Sequence, residues 1–307
     1  HHHLWSRPGN TYLHRELHAD TRAGHNVKGT VFVECRSGWR ESGSEAMRPV
    51  GETEFVAAEA QAARQAGGAP ILGIVAFADL ALGEAVEDVL LAHETAGQGL
   101  FRGIRHPPSC DAELGSGHIP TPAGLMGTDR FERGFARLGA LGYSYDAWLF
   151  HHQLPELLTL VRRHPQVPVV LDHIGGPLGV GRFTDRRDDV RQQWRPVMQA
   201  LAGCASVTLK VGGIGMDRYY GGGWPTHDSP PDSAELYRYW GDDLHWCIDQ
   251  FGPTRCMFES NFPVDRDSCS YTTLWNVFQR VGQAYTQAER DELFYGTALR
   301  AYRLALD

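Results

Sequence analysis

Between residues 28 and 260, short apolar runs rich in β-branched residues alternate with longer stretches of helical character. The apolar runs are 28–34 (KGTVFVE), 71–77 (ILGIVAF), 100–105 (LFRGIR), 143–150 (YSYDAWLF), 167–172 (VPVVLD), 205–211 (ASVTLKV) and 255–260 (RCMFES). Each is short and apolar enough to form a buried strand. Helices are expected between them at 52–66, 83–96, 128–141, 153–164, 187–203 and 233–251. The first of these is Ala- and Glu-rich with no Gly or Pro. Two helices close the chain. The last opens with Thr286 and Glu289, a capping-box spacing in which each side chain satisfies an orphan backbone N–H. Strand–helix alternation calls for parallel strands, because parallel neighbours need a crossover between them.

Seven such units, with one more strand largely missing from the N-terminal end, predict a (β/α)8 barrel. The competing architecture is an open doubly wound sheet. It would show a Gly-rich phosphate turn after its first strand, and no G-x-G-x-x-G follows a strand here. The whole chain, 1–307, is therefore expected to form a single domain, although a length near 300 residues more often means two. The loops 107–127 and 212–231 are long and rich in Gly and Pro, and in a barrel such loops build the site.

Composition narrows the class further. Hydrophobic residues make up 42% and charged residues 21%, which excludes a disordered chain or a coiled coil. The net charge of −8 gives no basic excess for a nucleic-acid partner. The six cysteines form no C-x-x-C pair and are expected to be scattered thiols in a reducing compartment. With no membrane-length apolar run and no signal peptide, a cytoplasmic protein acting on a small molecule is expected.

In a barrel, polar residues at strand ends converge on one mouth. His1 and His3 share a face by the period of two, although three leading histidines are also what a tag remnant leaves. Glu34 and Arg36 end the 28–34 strand, and Arg102, Arg105 and His106 end the next but one. His151 and His152 follow the 143–150 strand, and Asp172 and His173 follow VPVVL. Lys210 lies in VTLKVGG, and Glu259 and Asn261 are again two apart. Each has a plainer reading: a hydrogen-bonded structural histidine, a buried Glu34–Arg105 or Glu34–Arg36 ion pair, or a snorkelling Lys210. Their repetition at one side of the sheet favours a shared site. His93, His118, His164, His227 and His245 are read as surface or loop residues; His118 and His227 lie in long loops from which they could reach substrate, although nothing in their spacing says so. Trp224, Tyr219 and Tyr220 are placed in a loop that either packs or forms a lid.

HHHLW at the start, FRGIR at 101–105, VVLDHIGGP at 169–177, VTLKVGG at 207–213 and RCMFESNFPVD at 255–265 resemble, in order, motifs of the amidohydrolase superfamily. The resemblance is strongest to its amidohydrolase-2 branch of TIM-barrel hydrolases, which includes lactonases, pyrone-dicarboxylate hydrolases and non-oxidative decarboxylases. It implies a divalent metal, most suitably zinc, held by His1, His3 and His151. It also implies catalytic roles for His173 and for the eighth-strand acid. That acid is replaced by Asn261, a neutral and weaker ligand that cannot act as a base, and Glu259 is the nearest carboxylate on the same face. The loss makes metal-free action conceivable within this branch. Arg105, Lys210 and, less directly, Arg36 are the expected binders of a substrate carboxylate. The expected activity is the opening of a lactone or similar cyclic ester of a small organic acid, in a chain that could also assemble as a homo-oligomer. The alternatives are a metal-assisted decarboxylase and a catalytically inactive binding barrel.

Overall fold

The computed structural model describes residues 1–306. Seven parallel strands form one curved sheet in chain order: β1 (Thr30–Val33), β2 (Ile71–Ala76), β3 (Phe101–Ile104), β4 (Ser144–Ala147), β5 (Val169–Leu171), β6 (Val207–Gly212) and β7 (Cys256–Glu259). Every strand falls in a run expected from its β-branched apolar residues, β6 alone running one residue past its expected end at 211.

The gap between β7 and β1 is bridged by the first three residues. His2 pairs in parallel with both Phe32 and Phe262. Its N–H donates to the Val31 carbonyl at 3.0 Å and its carbonyl accepts from Val33 at 3.0 Å, while the His3 N–H donates to Phe262 at 2.8 Å. The eighth position of the barrel wall is thus occupied at the mouth by His1–His3, where a largely missing strand was expected.

Helices cover the outside: α1 (His14–Thr21), α2 (Val50–Gln65), α3 (Val86–Ala96), α4 (Asp129–Leu141), α5 (Leu154–Arg163), α6 (Arg187–Ala202), α7 (Ser233–Phe251) and α8 (Tyr271–Gly282). Thr128 caps α4 by accepting from the Phe131 N–H, and Thr286 and Glu289 form their capping box. The short hairpin Trp5–Arg7/Asn10–Tyr12 and α1 have no counterpart in the expected series. They are too short and too polar to give a periodic signal.

Alternation along the strands sorts the interior into two layers. Val31, Val33, Val75, Val170 and Met257 pack with Tyr302 from the C-terminal segment as an apolar plug. One step nearer the mouth, the inward positions become Arg105, Asp146, Asp172, Lys210 and Glu259, all at most 2% exposed. The outward positions, such as Phe32, Leu171, Leu209 and Phe258, join the helices in the main core. All six cysteines are free thiols. No helix among the described residues is long and apolar enough to cross a membrane.

Candidate active site

The mouth is a polar cavity of about 300 Å³, lined among others by His3, Arg105, His118, Trp148, His173 and Asn261. At its floor, hydrogen-bond bookkeeping identifies an unusual meeting of acceptors. The His3 Nδ1 lies 2.8 Å from the Val33 carbonyl, which can only accept, so that nitrogen carries the hydrogen. The His1 Nδ1 lies 2.5 Å from the Glu259 carboxylate and is likewise the donor. Lys210 Nζ stands 3.3 Å from the same nitrogen but is already held by two carboxylates. In the neutral rings this leaves lone pairs on both Nε2 atoms. These lie 3.1 Å apart, and the His3 Nε2 is 3.0 Å from the Asn261 Oδ1. The Asn261 amide nitrogen donates to Asp265 Oδ1 at 2.6 Å, so its oxygen must face the histidines.

Three acceptors therefore converge with no donor between them. Burial first, and then the Arg105 charge, push His3 down to about 3, so its ring stays neutral. Neutral imidazole nitrogens suit a divalent ion, and a tetrahedral site with bonds of ~2.0–2.1 Å has ligand atoms ~3.4 Å apart, close to the spacing here. The donor set fits a zinc-like cation. A second combination also lies within reach, because His1, His173 and Glu259 each offer a ligand atom within 4.8 Å of the others.

Glu259 organises this floor. It bridges His1 and the His173 Nδ1, the latter at 2.6 Å, and also accepts from the His173 backbone N–H at 3.0 Å. Burial alone would raise its carboxyl, but His173 and Lys210 hold it down at about 2. His173 itself sits at φ 54° in the left-handed region, and its ring packs so closely on Gly213 that a Cβ there would collide with it. The glycine in VTLKVGG is thus required by the histidine of the neighbouring strand. Asn261 also has positive φ, 52°. Such backbone conformations cost roughly 1–3 kcal/mol and persist where the surroundings enforce them.

Beneath the floor lies a continuous line of paired charge. Arg105 Nε meets Glu34 at 2.7 Å and its Nη1 meets Asp172 at 3.3 Å. Lys210 meets Asp172 at 2.8 Å and Asp146 at 2.7 Å, and the Tyr302 hydroxyl donates to Asp146 at 2.6 Å. Burial opposes both cations, but the surrounding carboxylates outweigh it and keep Arg105 and Lys210 protonated.

The amidohydrolase family model matches residues 1–304. The chain belongs to this family. An uncharacterized protein, y4mH, of Sinorhizobium fredii is 30% identical over 295 residues, covering 96% of this chain and 86% of that one. An L-fucono-1,5-lactonase of Burkholderia multivorans is 31% identical over 237 residues, covering 77% of this chain and 73% of the relative. A crystal structure of an amidohydrolase from Burkholderia multivorans with bound zinc superposes with a TM-score of 0.76 at 26% identity, covering 99% and 98% of the two chains. The protein is accordingly a hydrolase of the amidohydrolase type on an α/β barrel.

Within this amidohydrolase, the structure departs from several sequence expectations. His151 does not join His1 and His3. It lies on a short turn past β4, accepts from the Leu178 N–H at 3.3 Å and packs edge-on against Phe183. The strand-face position at the mouth falls instead to Trp148, two residues beyond Asp146, a relation the period of two contains. Lys210 is 1% exposed, bound to Asp146 and Asp172 with Glu259 at 3.9 Å, and does not line the mouth cavity, so its ammonium is committed to internal carboxylates. Arg105 lines the cavity but has its Nε, Nη1 and Nη2 engaged by Glu34 and Asp172. Arg36 turns outward at φ 62° and stacks on Trp39. His93, expected at the surface, is completely buried, with Thr53 at 2.8 Å and the Phe77 carbonyl at 2.9 Å. Arg7 and Arg218, not singled out in the sequence, line the cavity rim and are exposed. His118 reaches the cavity from the 107–127 loop, where no periodicity could have placed it.

Proposed function

We propose that this amidohydrolase opens the ring of a lactone derived from a small hydroxylated or acidic sugar-like compound. The observation that carries this reading is the convergence of His1 Nε2, His3 Nε2 and Asn261 Oδ1 at the floor of a polar cavity. The similarity to an L-fucono-1,5-lactonase supports the ester class. The three groups would hold a divalent ion, zinc being best suited. Bound there, such an ion supplies Lewis-acid polarisation of a carbonyl and a lower pKa for water.

The chain's own residues do the rest. His173 donates its Nδ1–H to the ionised Glu259, so its other nitrogen carries the lone pair that takes a proton from the attacking water. Glu259 fixes that tautomer and stabilises the imidazolium that forms. Asn261 cannot take this proton, and both Asp265 oxygens accept from the Asn261 amide and the Gly215 N–H, so His173 is the base assigned here. Arg7 and Arg218 at the rim are the cations with free donors for substrate hydroxyl or carboxylate groups. Arg105 sets the positive field beneath them.

The test is a panel of aldonolactones and aromatic lactones given to the zinc-loaded protein, with acid release followed by a pH indicator. Ring opening that is lost with a chelator and restored by zinc supports the proposal. Failure on the whole panel, or CO2 release from a matching panel of carboxylic acids, sinks it. The latter result would favour the decarboxylase reading, which needs no attacking water.

A further inference from the structure

The mouth holds a second carboxylate–imidazole pair that the floor chemistry does not use. His118 is delivered by the 107–127 loop. Its Nε2 lies 2.8 Å and 3.0 Å from the two oxygens of Glu34. Its ring stacks face to face on Trp148, with centroids 5.4 Å apart and planes at 19°. A carboxylate only accepts, so the hydrogen is on Nε2. The Nδ1 makes no hydrogen bond among the described residues. The side chain remains 25% exposed, while Glu34 beneath it is fully buried.

One nitrogen is anchored and the other is presented to the cavity, which is how a carboxylate orients a proton-transferring histidine. Burial would raise the Glu34 carboxyl, but His118 and Arg105 hold it at about 2, so it stays an anionic acceptor. Trp148 separates the two pairs. It is stacked on His118 on one side and meets His173 edge-on at 6.1 Å on the other. The cavity therefore carries two oriented imidazoles, and hydrolysis of an ester needs two proton transfers.

We propose that His118 is a catalytic residue, the general acid that protonates the departing ring oxygen, with Glu34 as its positioning residue. This rests on the lactonase reading above. Water oxygen bonds to the carbonyl carbon as His173 takes its proton. The bond from that carbon to the ring oxygen then breaks, and its electron pair stays on the ring oxygen. His118, protonated on both nitrogens, gives its Nδ1 proton to that oxygen. His173 then loses its proton to solvent and the partly exposed His118 regains one. One water is consumed and one hydroxy acid is formed.

The experiment compares the zinc-loaded wild type with His118→Gln on two lactones. One has an alkyl alkoxide leaving group and the other, dihydrocoumarin, a phenolate. An alkoxide needs a proton to leave, whereas a phenolate leaves without one. Loss of a general acid should lower kcat on the alkyl lactone by about 10²–10³-fold and on dihydrocoumarin by less than about threefold. The ratio of the two rates, measured on one preparation, does not depend on the fraction folded. Zinc content should be unchanged. An equal loss on both substrates, or no loss on the alkyl lactone, overturns the role of His118 and leaves the lactonase reading standing. A wild type that turns over neither substrate removes both.

Discussion

Replacing Lys210 by Met tests whether the inner line of charge is structural or meets substrate. Methionine nearly matches the lysine stem in length and shape but carries no charge. Its introduction would leave the Asp146 and Asp172 carboxylates facing each other without the ammonium that meets them at 2.7 and 2.8 Å. Asp172 keeps Arg105 at 3.3 Å, whereas Asp146 keeps only the Tyr302 hydroxyl. Asp146 is already raised, by burial first and despite Lys210, and would become protonated in the variant. Removing one partner from a buried pair costs about 3–5 kcal/mol. Against a total stability of ~5–15 kcal/mol this is a large fraction, and at roughly 2–3 °C per kcal/mol it lowers Tm by about 6–15 °C. Adding Asp146→Asn should recover more than about half of the loss, because the amide oxygen still accepts from Tyr302 and no orphan carboxylate remains. Thermal and urea unfolding of the two variants measure this. The KM of the folded Lys210→Met fraction should stay within about threefold of the wild type. The reasoning is refuted by a Lys210→Met protein that melts like the wild type and shows KM raised tenfold or more for an anionic substrate. That outcome would return Lys210 to substrate binding.

Asn261→Asp adds an anionic oxygen beside the two histidine lone pairs and should tighten zinc by about tenfold or more (~1.4 kcal/mol); competition against a chromophoric chelator measures it, and unchanged affinity counts against Asn261 as a ligand. His93 is held down at about 4, by burial first. Its folded pKa is therefore below its unfolded value of 6.5, and the stability it contributes is complete above pH 6.5 and falls away as pH drops towards 4. At ~1.4 kcal/mol per unit this reaches about 3 kcal/mol, and His93→Gln should flatten that part of the urea-midpoint profile. An equally steep profile would deny His93 that share. Trp148→Ala removes a side chain that is 3% exposed and supports both mouth histidines, at a cost of about 3–5 kcal/mol; a shift below about 1 kcal/mol in urea unfolding would show that the ring is not packed as described.

The barrel was legible because its physics is local and repetitive. Each strand must be apolar and short, the helices repeat an apolar face, and the loops concentrate Gly and Pro, although Gly134, buried in α4, and Pro196, inside α6, show that the helices do not exclude them. The site was legible only where a residue lies on a strand. His1, His3, Glu259 and Asn261 meet because the strand period places them on one face, and the parallel register brings the strand ends to one rim. The same rule contains Trp148, since Asp146 and Trp148 share the inner face of β4 and its extension, but a His-centred reading passed over it for His151. Charge type was a poorer guide than position. Lys210 and Arg105 have the chemistry of substrate binders, but a layer of Asp146, Asp172 and Glu34 one step below the mouth claims them. Only the three-dimensional count of carboxylates against cations reveals this. His118 was beyond the reach of any pattern, because the loop that carries it has no period. What identifies it is the pairing with Glu34, a contact across 84 positions of the chain. The departure at Asn261 acquires a physical meaning through that pairing. A site that lacks the usual acid at its eighth strand holds two carboxylate-anchored imidazoles, Glu259–His173 and Glu34–His118, on either side of one tryptophan. In the mechanism we propose, proton transfer is assigned to those two histidines, and no aspartate is needed at position 261.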